Sequence, residues 1–191
     1  MNRSFFSCAM AFLMIFASAS ASATSTSYTG NLAGDDDVQS FVFTVNAPST
    51  VVLRSWSFAG GTNAAGTLIA DGGFDPILTL FDSDGGFIVA NDDDEDFSAV
   101  DLASGNQYDS YIISDLVAGN YTVSITQFSN FAIGPNLSNG FPGSDETDFG
   151  GRDNHFAFDV VVSSVPESQT GVLLALGLGM FAFMRQRKAL R

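Results

Sequence analysis

Between residues 24 and 164 the chain has no lysine, no cysteine and one histidine, and its only strongly basic side chains are Arg54 and Arg152. Each absence removes a class of function. Without clustered Lys and Arg nothing can displace counterions from phosphates, so nucleic acid is excluded as a partner. The single cysteine, Cys8, lies near the N-terminus without a lipobox before it, so no disulfide and no lipid anchor supports this stretch. With no Cys and one His, a zinc or copper centre would lack its usual ligands. Sustained helical periodicity is missing as well, which argues against a helical domain.

Negative charge and aromatic side chains are abundant instead. Of 21 acidic residues all but Glu167 fall between residues 24 and 164, so twenty acids face two arginines and the formal charge there is −18, against −14 for the whole chain. Repulsion on this scale opposes compaction unless cations neutralise or screen it. Disorder is the other fate of an acidic chain, but 13 of the 19 phenylalanines lie between residues 24 and 164 and, with frequent Val and Ile, supply a core that disordered sequences lack. The length suits one domain.

The two ends read as an address. Arg3, an apolar run from Phe5 to Phe16, and small residues at Ala17, Ala19, Ala21 and Ala23 have the order of a signal peptide spanning residues 1–23. At the other end Val165-Pro166-Glu167 precedes an apolar run from Gly171 to Met184, closed by Arg185, Arg187 and Lys188. The run is apolar on every side, unlike a helix packed on a core, and reads as a transmembrane helix whose basic flank stays cytoplasmic. Together these residues resemble the PEP-CTERM sorting signal of exopolysaccharide-producing Gram-negative bacteria, with Ser168 in place of the usual second proline. The resemblance implies handling by an exosortase: an inner-membrane-anchored precursor, then a place at the cell surface or outside it, in association with exopolysaccharide or biofilm.

Between the ends, strand-like alternation recurs. Phe41 to Val45, Val51 to Phe58, Ile77 to Phe81, Phe87 to Ala90, Tyr111 to Ser114, Tyr121 to Thr126 and His155 to Val162 place apolar residues on one face, with Gly, Asp, Asn and Ser clusters between them. This pattern predicts an all-β domain over residues 24–164, an antiparallel β-sandwich of jelly-roll-like topology. Asn130 to Gly151 reads as one long loop. The segments Phe74-Asp75-Pro76-Ile77-Leu78-Thr79-Leu80-Phe81-Asp82, Gly85-Gly86, Asn91-Asp92-Asp93, Asp109-Ser110-Tyr111-Ile112 and Gly119-Asn120-Tyr121-Thr122-Val123 are similar to bacterial pre-peptidase C-terminal domains. That resemblance implies a small extracellular β-sandwich, often with calcium held by loop carboxylates.

The densest chemistry is Asn91-Asp92-Asp93-Asp94-Glu95-Asp96. Like charges packed this closely must protonate, separate or bind a cation, and hard oxygen ligands select Ca²⁺. Counting from Asp82, Phe87 stands where an EF-hand needs Gly, so a site must draw on more than one loop. By the resemblance Asn91, Asp92, Asp93 and Asp109 are the leading ligands, with Asp75 and Asp82 next, and Asp35-Asp36-Asp37 form a second, weaker candidate. Catalysis has little to stand on: there is no G-x-S-x-G or H-E-x-x-H motif, and His155 lies in a strand. The reading is a non-catalytic, calcium-stabilised surface or matrix protein; the alternatives are a secreted carbohydrate-active hydrolase or a carbohydrate-binding module, with Trp56, Phe58, Tyr108 and Tyr111 available to stack on sugars.

Overall fold

The computed structural model describes residues 22–94 and 96–165, together with Gly177 and Gly179, which are helical. Residues 1–21 of the leader, Glu95, Pro166, Glu167, the remainder of the apolar tail and its basic cluster lie outside the described residues, whereas Ser22 and Ala23, read as the end of the leader, are described and Ala23 opens the first strand. Among the described residues no helix is long and apolar enough to cross a membrane.

Ten strands form in chain order: β1 Ala23–Asn31, β2 Val38–Val45, β3 Ser49–Ser55, β4 Gly61–Thr62, β5 Leu68–Ile69, β6 Pro76–Phe81, β7 Phe87–Asn91, β8 Tyr111–Leu116, β9 Gly119–Gln127 and β10 His155–Ser164. They build two four-stranded sheets, ordered β1-β10-β3-β8 and β2-β9-β6-β7, while β4 and β5 make a separate small hairpin. Every pairing between named strands is antiparallel. With the small hairpin set aside, the strand order is the double Greek key of an eight-stranded jelly roll.

Alternation explains the layers. In β3, Val51 and Leu53 are fully buried while Val52 and Arg54 face outward, and partner strands repeat the pattern in register. The inward residues of both sheets, among them Leu53, Leu80, Ile112, Val123, Ile125, Phe156 and Phe158, form one core. Tyr28 stacks on Phe158 at 4.9 Å, and Phe41 meets Phe158 edge-on at 5.2 Å, joining β1 and β10 to β2 through aromatic contacts.

The segment expected as a loop after Phe128 covers the second sheet. In β6 the outward Ile77, Thr79 and Phe81 are as buried as the inward Leu78 and Leu80. Phe141 packs edge-on against Phe81 at 6.5 Å, and the amides of Phe87 and Leu137 donate to Pro135 and Gly85 carbonyls, both at 2.8 Å. Asp35 anchors the far part of this cover by accepting from the amides of Asp148 (3.0 Å) and Phe149 (2.5 Å), and Asp36 accepts from Ser144 N at 2.8 Å. Asp37 accepts from Ala33 N and Val38 N, both at 2.9 Å. The Asp35-Asp36-Asp37 run, expected as a second cation site, therefore spends its oxygens on backbone amides. Asp148 and Phe149 have φ of 54° and 53°, a strained region for side-chain-bearing residues, and the Phe149 ring packs against buried Phe74 at 5.6 Å.

Candidate metal centre

The β6–β7 hairpin decides which acidic residues meet. Its register sets Leu78 opposite Asn91, so the chain leaving β7 returns beside the start of β6, where Asp75 stands. Carboxylate oxygens of Asp75, Asp92 and Asp93 lie within 4.8 Å of one another. Asp82 is at the other end of β6, about 20 Å away at ~3.3 Å per residue. It does not join the cluster: its Oδ1 accepts from Asp84 N (2.9 Å) and Gly86 N (2.7 Å), closing the hairpin turn.

The two remaining expected ligands lie beside the cluster, but their side chains are engaged. Asn91 Oδ1 accepts from Tyr111 N at 2.8 Å while its Nδ2 donates to the Asp93 carbonyl at 3.1 Å, which fixes the bend out of β7. Asp109 is buried, with Oδ1 accepting from Ser55 Oγ, Ser57 N and Phe58 N and Oδ2 from Ala59 N at 2.9 Å. It holds the turn after β3 against the start of β8, and its charge is already solvated by four donors.

Two of the three clustered carboxylates carry an oxygen that is not solvated in this way. Asp75 Oδ1 and Asp92 Oδ1 are shielded from water and have no hydrogen-bond partner. Burial, then the neighbouring charges of Asp93, Asp92 and Asp109, push the Asp75 carboxyl up to about 8, with Arg152 acting weakly the other way. Burial and Asp93 push Asp92 up to about 6. Oxygen acceptors are also in surplus nearby. The Ser110 hydroxyl meets three carbonyl oxygens, those of Pro76 (2.5 Å), Asn91 (2.9 Å) and Asp92 (2.7 Å), and has one proton to share among them. Sequence reading missed Ser110; its only signal was its place beside Asp109 at the start of a strand.

Such a donor set fits a hard cation. Ca–O distances of 2.3–2.6 Å allow two ligands of one ion to stand up to about 5 Å apart, which the Asp75, Asp92 and Asp93 oxygens satisfy. Arg152, the nearest strong cation, is committed elsewhere: it pairs with Asp101 at 3.5 Å, lies over the Phe58 ring at 3.6 Å and donates to the Gly73 and Phe58 carbonyls. His155 faces Asp153 and the Ala70 carbonyl, at the edge of β10. Of the aromatic residues considered for sugar stacking, Phe58 is buried against Arg152 and Tyr108, whereas Trp56 and Tyr111 are half-buried on the outer face of the first sheet.

Comparison of the sequence with known families and with curated proteins finds no match. Among solved structures the chain is similar to the pre-peptidase C-terminal domain of a collagenase from Bacillus anthracis, at 12% identity and a TM-score of 0.36 over 71% of this chain and 87% of that one. It is also similar to PliG of Aeromonas hydrophila, a periplasmic inhibitor of g-type lysozyme, at 12% identity and a TM-score of 0.33 over 75% and 84%. A protein from Sulfurospirillum deleyianum aligns at 13% identity and a TM-score of 0.34 over 76% and 99%.

Proposed function

We propose that this protein is an exported, non-catalytic β-sandwich module that works at the cell surface in association with exopolysaccharide and is stabilised there by Ca²⁺. Two buried carboxylate oxygens without partners, on Asp75 and Asp92, carry the calcium part of the reading. Asp75, Asp92 and Asp93 would hold the ion, with the surplus carbonyls around Ser110 as neighbouring oxygen donors. The ion would supply the positive charge that a stretch with twenty acids and two arginines lacks. The address rests on the leader and on the Val165-Pro166-Glu167 tail, which nominate an exosortase as processing partner and the inner membrane as the precursor's anchor.

A secreted hydrolase would draw on the same carboxyls, because an Asp raised to about 8 has the protonation of a general acid. Cleavage of polysaccharide that disappears in Asp75→Asn would favour that alternative.

Thermal unfolding of residues 22–165 tests the main reading. A ligand at 100 times its Kd adds about 2.7 kcal/mol to the native state. For a domain of this size that raises Tm by several degrees, on the order of 5–10 °C. The gain should appear in millimolar Ca²⁺ and not in NaCl of equal ionic strength, and Asp92→Asn with Asp93→Asn should abolish it. Equal melting temperatures in the two salts would remove calcium from this account.

A further inference from the structure

The outer face of the first sheet holds a guanidinium without an acceptor. Arg54 lies on β3, opposite Asp159 of β10 and Tyr111 of β8. Its guanidinium sits 3.9 Å above the Trp56 ring, and its Nε is shielded from water with no hydrogen-bond partner. The acid opposite it in register does not serve. Asp159 directs one oxygen to Ser27 and the other to Trp56 Nε1 and Ala64 N, the latter two within 2.8 Å. Among the described residues Arg54 is therefore the one arginine without an ionic partner, in a domain that could have supplied twenty.

Flat apolar surface surrounds this group. Trp56 lies beneath it and Tyr111 beside it, and Phe97, 52% exposed, stacks on Tyr111 with ring centroids 4.6 Å apart and planes 15° apart. Val52 and Ile113, the latter 56% exposed, continue the same face one register step on. The β4–β5 hairpin bounds the far side, where Ala64 N and Ala65 N donate to Asp159 and Ser27. The terminal nitrogens of Arg54 have no acceptor among the described residues, and a guanidinium held flat on an indole keeps its planar N–H fork pre-organised for a carboxylate. Aromatic faces next to that fork suit a ring with one apolar face.

We propose that this face binds an acidic saccharide, a hexuronate-containing chain whose carboxylate pairs with Arg54 while its sugar rings lie against Trp56, Tyr111 and Phe97. This names the polysaccharide class left open above and rests on that reading only for the idea that polysaccharide is the partner; the calcium site is a separate group of residues. The domain's negative field opposes the approach of a polyanion beyond contact range. Binding is accordingly read at about 0.15 M salt, where that field is screened within ~8 Å.

Trp56 is the chain's only tryptophan, so its fluorescence reports on this face alone. The full chain in detergent is titrated with an oligogalacturonate of about six residues, a neutral oligosaccharide of equal length and an oligoglutamate, all in EDTA, because uronates themselves bind calcium. A saturable change in Trp56 emission with the uronate alone is expected. Arg54→Gln should weaken it about tenfold or more, the scale of a lost charge-assisted hydrogen bond, and Arg54→Lys should restore little because it lacks the planar fork. Phe97→Ala, at an exposed position, should weaken binding several-fold with unchanged Tm. Equal response to the neutral sugar, an equal response to oligoglutamate, or an unaltered affinity in correctly folded Arg54→Gln would each overturn the proposal. A response that needs Ca²⁺ and survives Arg54→Gln would overturn it too, since calcium would then be bridging the sugar to the acidic cluster. A calcium-dependent Tm without uronate binding would sink this inference and leave the calcium reading standing.

Discussion

Asp75→Asn should remove a loss of stability that the calcium-free protein suffers as pH rises from 5 to 8. In the folded state Asp75 titrates at about 8, whereas in the unfolded chain an Asp ionises near 3.9. Between those values the unfolded state has released a proton that the folded state keeps, so stability falls with rising pH; the contribution is full below about pH 4 and is lost as pH climbs through 8. One raised group changes stability by up to ~1.36 kcal/mol per pH unit, a ceiling of about 4 kcal/mol over this window. Because Asp75 and Asp92 lie side by side and both titrate in this window, we take about half, roughly 2 kcal/mol, as the expected effect. Asp92, raised to about 6, acts with the same sign in the lower part of the window. In EDTA, then, wild type and Asp75→Asn should be close at pH 5, and the variant should be more stable by about 2 kcal/mol at pH 8, or roughly 7 °C in Tm. Under the calcium proposal the ion should reverse the order at pH 8, because it needs ionised ligands that Asn cannot supply and its binding would release protons. Urea unfolding at pH 5, 6.5 and 8, each in EDTA and in Ca²⁺, measures all of this. Parallel pH profiles for wild type and variant in EDTA would show that Asp75 is ordinarily ionised and would refute the reasoning.

Asp109→Ala should destabilise the protein by about 3 kcal/mol or more in chemical unfolding, with or without calcium, since it strips the acceptor from three backbone amides and the Ser55 hydroxyl in a buried turn. A calcium-dependent loss instead would make Asp109 a ligand. Asp35→Ala should speed hydrogen exchange of the Asp148 and Phe149 amides at least about tenfold, leaving strand amides unchanged, because its carboxylate holds that strained turn.

The seven expected strands were legible from alternation, and Ile77 to Phe81 differs from the rest in that its apolar residues, Ile77, Leu78, Leu80 and Phe81, fall on both faces. That run also carried a message that alternation alone does not: a strand apolar on both sides must be covered on both, and residues 128–154 provide the second cover. The chain there is rich in Gly, Asn, Ser and Pro, so its role as a lid over Phe81 is a tertiary fact without a local signature. β1 went unread because Ala-Thr-Ser-Thr-Ser-Tyr-Thr-Gly-Asn contributes one aromatic ring and otherwise small side chains; its strand state comes from pairing with β10. In the acidic region the sequence could rank carboxylates but not tell which of them backbone amides reach. Asp82 and Asp109 have the same side chain as Asp75 and differ in whether backbone amides reach them, which only the fold decides.

The pairing of β1 with β10 has a kinetic consequence. β1 has no other strand partner, and its register runs from Ala23 beside Ser163 to Asn31 beside His155. β10 is the last strand of the domain, yet it lies inside its sheet, between β1 and β3. Until residues 155–164 are present, β1 cannot dock and β3 keeps an open edge, so a partly delivered chain cannot close the sandwich. Folding must therefore wait for the whole domain to emerge and then join its ends across long sequence separations, which places it in the slow, millisecond-to-second regime of non-local β topologies. On the export reading proposed above, that delay would keep the polypeptide transportable until its final strand has arrived.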